Sequence, residues 1–431
     1  MLLKKRLILI KIKSYVTSLL KSELTLPSFV IIFGIIIAGI GGLLFQLLAA
    51  KYLSFENFSS LSATLAIYNI VVAVMLGVNV ILSRNSAIYG SKKEYFNIKA
   101  LLQFMFVVYT ILMIVTLPFV YFFSDFISQI INVKNQIYIV FLYFLVWITF
   151  FLGVNTSIIN GLKKFYLLSI INSSVYILRL IFCGAALYLG WHLNYILTLY
   201  IVTMLTIFIF SCIYIKPIIK TTKKATQDIS KLFRTKYILP PMLGNVAIIL
   251  LFQIDILLAN KFFDSILASN YIAGAIIGKV IVYLPVGITT VLFPNIVSNY
   301  NNNISSENII REAHHFLIII TFTIAIFFYF FGEYLVTIFY NDKYEFAGNI
   351  LKYYGLAVAP LTFIYFYEHI LLAKNKILFS FLVLIITPMM IIYFWYYSIP
   401  SLDNLLSSIF YFGSIILILG YFFKFFKDVF K

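Results

Sequence analysis

The sequence predicts an all-α integral membrane protein of about twelve transmembrane helices in two six-helix lobes, with both termini cytoplasmic. Three observations carry that expectation. The chain is 63% hydrophobic and 11% charged, with a mean hydropathy of +1.03, whereas soluble globular chains carry about a quarter charged residues. Twelve apolar runs, each near the roughly 20 residues that a bilayer core requires, are separated by short polar links. Lysines and arginines crowd onto alternate links. The 45 Phe and 32 Tyr fit helices that present rings to lipid and to its interfaces.

Taken in order, residues 1–22 start like a signal peptide, but Lys11 and Lys13 interrupt the apolar stretch and no small-residue cleavage site follows. This segment reads as a basic amphipathic helix on the inner leaflet, setting topology or serving as an anchor. The first lobe, residues 23–215, holds spans near 28–50, 61–82, 100–123, 137–159, 166–189 and 194–215, the first opened by Leu26 and Pro27. A cytoplasmic linker at 216–237, the longest inside link, joins the halves. The second lobe, 238–431, holds spans near 238–260, 268–296, 315–339, 350–373, 377–398 and 404–423, opened by Leu239, Pro240 and Pro241. Pro285 and Pro294, with Gly287 between them, predict a weakened or kinked eighth span. Gly274 and Gly278 form a small-xxx-small surface for close helix packing.

With the amino terminus inside, 25 of the 32 basic residues fall on inside segments and five (Lys51, Lys134, Lys261, Lys343 and Lys352) on outside links. That bias supports an even span count and two cytoplasmic termini. The net charge of +17 is then topology and attraction to anionic membrane lipid, and not nucleic-acid binding, because no soluble domain exists to present a basic face. Cys183 and Cys212 lie inside apolar runs with no CxxC or Cys/His spacing, so neither a disulfide framework nor a metal site is expected.

An internal repeat supports the two-lobe division. Residues 50–69, AKYLSFENFSSLSATLAIYN, align with 260–279, NKFFDSILASNYIAGAIIGK, at a constant offset of 210 that sets Lys51 on Lys261, Ser59 on Ser269, Ala63 on Ala273 and Asn69 on Lys279. Parallel six-span repeats are related by an axis along the membrane normal and place a substrate site between them.

These stretches also carry a resemblance. AAKYLSFENFSSLSATLAIYNIVVAVMLGVNVILSR resembles the opening of polysaccharide-transporter (Wzx-type) flippases, and DILLANKFFDSILASNYIAGAIIGKVIVYLPVGITTVLFPNIVSNY is similar to their seventh and eighth helices. NGLKKFYLLSIINSSVYILRLIFCGAALYLGWHLN is similar to their fifth-helix region. The superfamily indicated is the multidrug/oligosaccharidyl-lipid/polysaccharide (MOP) exporters. The resemblance implies a carrier that moves undecaprenyl-pyrophosphate-linked oligosaccharide from the cytoplasmic to the periplasmic leaflet of the bacterial inner membrane by alternating access. It implies a role in O-antigen, capsule or other polysaccharide biosynthesis, alongside a polysaccharide polymerase and chain-length regulator. No enzymatic activity and no cofactor are implied, although coupling to H+ or Na+ is compatible with it.

The candidate site starts from the two remaining cations, Arg179 and Lys279, which fall within spans. A charged side chain at mid-bilayer costs about 2.5–3.5 kcal/mol even on insertion scales, so it faces a cavity or a partner. Lys279 lies about ten residues into the eighth span and Arg179 about thirteen into the fifth, both near mid-depth at about 1.5 Å per residue. Together they suit an anionic headgroup: arginine as a bidentate partner of phosphate, lysine as a point charge. Two readings of Lys279 stand: it faces the cavity, or it pairs with Asp255 across the outer turn. Arg179 faces the cavity or bonds backbone carbonyls. Arg84 is either a phosphate entry contact or a topological flank. Asn69, Asn79, Asn172, Ser173, Ser174 and Asn245 are candidates to bond sugar hydroxyls. Glu368 with His369 could form a proton relay, although pairing of Glu368 with Lys374 or Lys376 explains it better; Asp255 is the other candidate for ion coupling.

Other chemistries are excluded by pattern. GAIIGKV at 274–280 has three residues between its glycines where a phosphate-binding loop needs four, and no Ser or Thr after the lysine. Neither HExxH nor GxSxG occurs. A membrane polymerase would need a large outside loop, and a drug or cation exporter of the same superfamily would carry carboxylates within its first six spans; the sequence offers neither.

Overall fold

The computed structural model describes residues 25–133, 135–220, 232–233, 235–301, 305–374, 376–396, 400–423, 425 and 429. The amphipathic segment expected at 1–22 and most of the linker at 216–237 lie outside the described residues. Among the described residues fourteen α-helices follow one another: α1 (Thr25–Tyr52), α2 (Phe55–Ser91), α3 (Tyr95–Ile130), α4 (Ile137–Gly161), α5 (Phe165–Tyr188), α6 (Leu193–Ile219), α7 (Thr235–Phe262), α8 (Ser265–Gly278), α9 (Val280–Asn301), α10 (Glu307–Tyr340), α11 (Ala347–Ala357), α12 (Ala359–Ala373), α13 (Leu378–Tyr396) and α14 (Leu402–Phe422). Among the described residues there is no strand. Eleven stretches among the described residues are long and apolar enough to cross a membrane, and the α11–α12 pair, bent by 42°, makes twelve. The protein is therefore a multi-pass, all-α membrane protein with the expected number of spans.

Local chemistry sets the helix ends. Ser54 caps α2 by accepting from the Asn57 N–H at 3.3 Å, and Asp264 caps α8 by accepting from Ile266 and Leu267, both at 2.9 Å. Such caps satisfy amides that a helix start leaves unpaired. The boundaries of α1 and α2 (25, 52, 55 and 91) recur at α7 and α8–α9 (235, 262, 265 and 301), the same 210-residue displacement as the sequence repeat. In the first half α1 packs on α5, and α2 and α6 pack on α4; in the second, α10 and α8 pack on α11, α9 on α12 and α7 on α13. The halves meet mainly along α2 and α7. Gly77 permits that approach: a Cβ there would lie 2.7 Å from the Ile238 carbonyl oxygen.

The eighth span is interrupted one residue after Gly278, while α9 runs on through Pro285 and Pro294, so the break falls earlier than the prolines suggested. Close packing surrounds the break. The Tyr354 ring occupies the space a Cβ of Gly278 would fill, and Gly274 lies against the Ala347 carbonyl in the same α8–α11 contact. The Lys279 carbonyl accepts from both Val282 and Tyr283, at 3.0 and 3.2 Å, which tightens the chain there.

At the end that the charge bias assigns to the outside, polar bonds tie the halves together. The Asn260 amide donates to the carbonyls of Ile131 and Asn132, and the Asn132 amide returns a bond to the Asn260 carbonyl at 2.9 Å. Lys261 donates to the Gln129 carbonyl at 2.8 Å. The Ser269 hydroxyl donates to Phe55 at 2.6 Å, and the Tyr344 hydroxyl to Ala50 at 2.7 Å. Asn132 sits at φ 53, in the left-handed region that asparagine tolerates, and this turn aims its side chain across the interface.

Candidate functional site

Two buried cations define the site, one in each half. In the second half, Lys279 at the α8–α9 break turns back toward α7. Its ammonium donates to Asp255 Oδ1 at 2.9 Å and to the Phe252 carbonyl at 2.6 Å. Asp255 Oδ2 accepts from the Tyr354 hydroxyl at 2.7 Å and, more weakly, from Tyr271 at 3.4 Å. Lys279 is 7% and Asp255 3% exposed, so the pair is held by its own bonds and not by solvent. Removing either partner would leave a buried charge uncompensated. A cavity of about 10 Å³, close to the size of one water, lies beside the pair between Leu251, Tyr283 and Leu361. Of the two sequence readings, the structure shows Lys279 paired with Asp255, and the void it lines is only water-sized.

In the first half, Arg179 on α5 is 7% exposed and has no carboxylate partner among the described residues. Its guanidinium lies over three rings, with centroids at 4.7 Å for Tyr176, 4.8 Å for Tyr200 and 5.0 Å for Phe45. It donates to the Tyr200 hydroxyl, while its Nε has no hydrogen-bond partner. Aromatic faces hold a cation without neutralising it, so Arg179 retains donors and net charge. The repeat sharpens the contrast: the offset of 210 that relates α1 to α7 places Phe45 where the second half has Asp255. One cation therefore rests on rings and the other on a carboxylate. Tyr283, on α9, lines the water-sized cavity beside the Lys279–Asp255 pair.

The other sequence candidates are not gathered here. Arg84 and Asn69 are exposed on α2, and Asn69 directly follows Tyr68, whose ring meets the Tyr200 ring of the Arg179 cluster at 6.4 Å. Glu368 on α12 is fully buried, accepts a hydrogen bond from Ser380 on α13 and packs against Gly244 on α7; its second oxygen has no partner. Its expected pairing with Lys374 or Lys376 is not formed: Glu368 bonds Ser380 instead, and Lys374 donates to the Val429 carbonyl at 2.8 Å. His369 bonds the Tyr365 carbonyl at 3.0 Å and stacks on the Tyr365 ring, so it and Glu368 engage different neighbours. Ser173 and Asn245 bond carbonyls of their own helices, those of Ser169 and Pro241. Asn172 is exposed, whereas Asn79 keeps a buried oxygen without a partner.

Sequence reasoning missed the aromatic residues that hold the charges. Tyr176 was within reach of inspection, since it lies one turn before Arg179 on the same helix. Phe45, Tyr200, Tyr271 and Tyr354 come from other helices and carry no local mark among 32 tyrosines and 45 phenylalanines.

No protein-family model and no curated protein matches the chain. Solved structures do. A multidrug-resistance MATE family transporter of the MOP superfamily in its outward-facing conformation superposes with a TM-score of 0.66 at 14% identity, over 95% of this chain and 97% of that one. The lipid II flippase MurJ in an inward closed conformation gives 0.71 at 14% identity, over 92% and 89%. A Pyrococcus furiosus MOP transporter described by the reversed polarity of its binding pocket gives 0.64 at 14% identity, over 93% and 94%. The chain has the fold of MOP-superfamily transporters. A multidrug transporter and a lipid II flippase both have that fold, so the fold alone assigns no activity.

Proposed function

We propose that this protein is a carrier, and not an enzyme, that moves a polyprenyl-pyrophosphate-linked oligosaccharide across the bacterial inner membrane as a Wzx-type flippase for O-antigen, capsule or a related polysaccharide. The observation that carries this reading is Arg179, a buried guanidinium held by ring faces with donors to spare and, among the described residues, no carboxylate partner. Such a group suits a pyrophosphate, which it can engage through two parallel N–H···O bonds. Lys279 already has a counter-ion, so it contributes to anion binding only when substrate competes with Asp255. The halves alternate around this region while the lipid tail stays in the bilayer. An exporter of cationic compounds is disfavoured by the same feature, because a net positive buried site repels that class of substrate.

Deletion of the gene in a background that tolerates glycolipid accumulation tests the proposal. Complete lipid-linked repeat units trapped on the cytoplasmic leaflet are the expected result. Repeat units that reach the outer leaflet unpolymerised would assign a polymerase, and an unchanged glycolipid profile would assign an exporter.

A further inference from the structure

Outside the two cation clusters, α6 carries a feature that the proposed transport does not use. A shallow, open groove of about 430 Å³ lies along its surface, its described lining, Ile209, Cys212, Ile213, Lys216 and Lys220, coming from this one helix and its C-cap. These positions follow the spacing of one helix face, and their chemistry changes along it. The part toward the bilayer centre is apolar, and the end that the charge bias assigns to the cytoplasmic surface carries two exposed ammonium groups. From Ile209 to Lys220 the groove spans about 16 Å at 1.5 Å per residue, about half of a 30 Å hydrocarbon core and therefore the depth of one leaflet.

We infer that this groove binds an anionic phospholipid of the inner leaflet, with an acyl chain along Ile209, Cys212 and Ile213 and the phosphate between Lys216 and Lys220. Three features on the same face agree: length, the order of apolar and cationic residues, and charge complementarity. Lysines at this depth place their ammonium groups at headgroup level while their stems cover apolar surface. The inference stands independently of which cargo the protein carries.

Cys212 supplies the test, because it lies in the groove half-buried, whereas Cys183, the only other cysteine, is fully buried. The purified full-length protein is placed in nanodiscs of phosphatidylcholine alone or mixed with phosphatidylglycerol. Alkylation of each cysteine by N-ethylmaleimide is then followed by mass spectrometry. Phosphatidylglycerol should slow Cys212 modification several-fold and leave Cys183 unmodified throughout. The difference should vanish in the Lys216→Gln, Lys220→Gln double variant and persist in the corresponding double arginine variant. Equal rates in the two lipid mixtures would overturn the inference, as would protection that survives the glutamine substitutions. Protection produced only by a polyprenyl phosphate, or only by raising the protein-to-lipid ratio, would assign the groove to carrier lipid or to a second copy and overturn it equally.

Discussion

Lys343, in the short turn after α10, caps the end of α1 in the opposite half: its ammonium donates to the carbonyls of Ala50 at 2.7 Å, Lys51 at 3.1 Å and also Leu53. The last carbonyls of a helix lack intrahelical partners and form the negative end of its dipole. Here a cation from the second half satisfies them and ties the two halves together at that end. Replacing Lys343 with Gln should weaken closure by about 1–2 kcal/mol, which is roughly a 5–30-fold rise in opening. Ser269, fully buried with its hydroxyl on Phe55 in the same closure, reports on it. A Ser269→Cys protein freed of its native cysteines should react that much faster with a membrane-impermeant thiol reagent in the Lys343→Gln background. An unchanged rate would deny Lys343 its part in the closure.

The pairing of Lys279 with Asp255 predicts a reversal of the usual expectation that two substitutions cost more than one. Lys279→Met alone strands a buried carboxylate and Asp255→Leu alone strands a buried ammonium, each at about 3–5 kcal/mol. The double variant removes both charges and should recover most of that loss, because apolar replacement of a buried pair is often neutral. Thermal unfolding of the three variants in detergent measures this. A double variant less stable than either single one would show that the pair does not dominate the local energetics.

The fold was legible because a bilayer imposes a coarse code: twelve apolar runs and lopsided lysines leave little choice of architecture. The offset of 210 also emerged from sequence, since links as short as Leu53–Ser54 and Phe263–Asp264 leave no room for insertions between the repeats. The depth of Arg179 and Lys279 could likewise be counted along their spans. Their partners could not. Asp255 was found because it is an uncommon residue type in such a chain, with 15 acidic residues in all, whereas Tyr354 and Phe45 are common types whose roles depend on helix rotation. The expectation for Glu368 went astray for the same reason: nearness in sequence favoured Lys374, but the packing of α12 turns the carboxylate toward Gly244 and Ser380.

Gly278 and Tyr354 should behave as a fitted pair. The ring lies where a methyl group on Gly278 would go, and its hydroxyl holds Asp255 at 2.7 Å. Gly278→Ala should therefore cost about 1–3 kcal/mol through overpacking and displace the hydroxyl from the carboxylate. Tyr354→Phe should cost about 1–3 kcal/mol through the lost bond alone. Combining Gly278→Ala with Tyr354→Ala should relieve the clash, so that the alanine at 278 adds little further loss. Urea or thermal unfolding of the set separates the two effects; an additive combination would mean that the ring and the glycine are not in register.

Arg179 should respond in the opposite way to Lys279. Because rings and not a carboxylate surround it, Arg179→Met leaves no stranded charge and places a flexible apolar side chain among Phe45, Tyr176 and Tyr200. Lost cation–π attraction of about 0.5–2 kcal/mol is offset by removal of an uncompensated buried cation, so stability should change by less than about 1 kcal/mol. Under the proposed function, transport of the lipid-linked oligosaccharide should nevertheless collapse. Arg179→Lys should restore only part of it, because an ammonium cannot offer two parallel donors to a phosphate or stack flat on a ring. Glycolipid accumulation in cells and thermal unfolding of the purified protein provide the two readouts. Full export by the Met variant at normal expression would remove Arg179 from anion binding, whereas lost export accompanied by a large drop in stability would make it a packing residue.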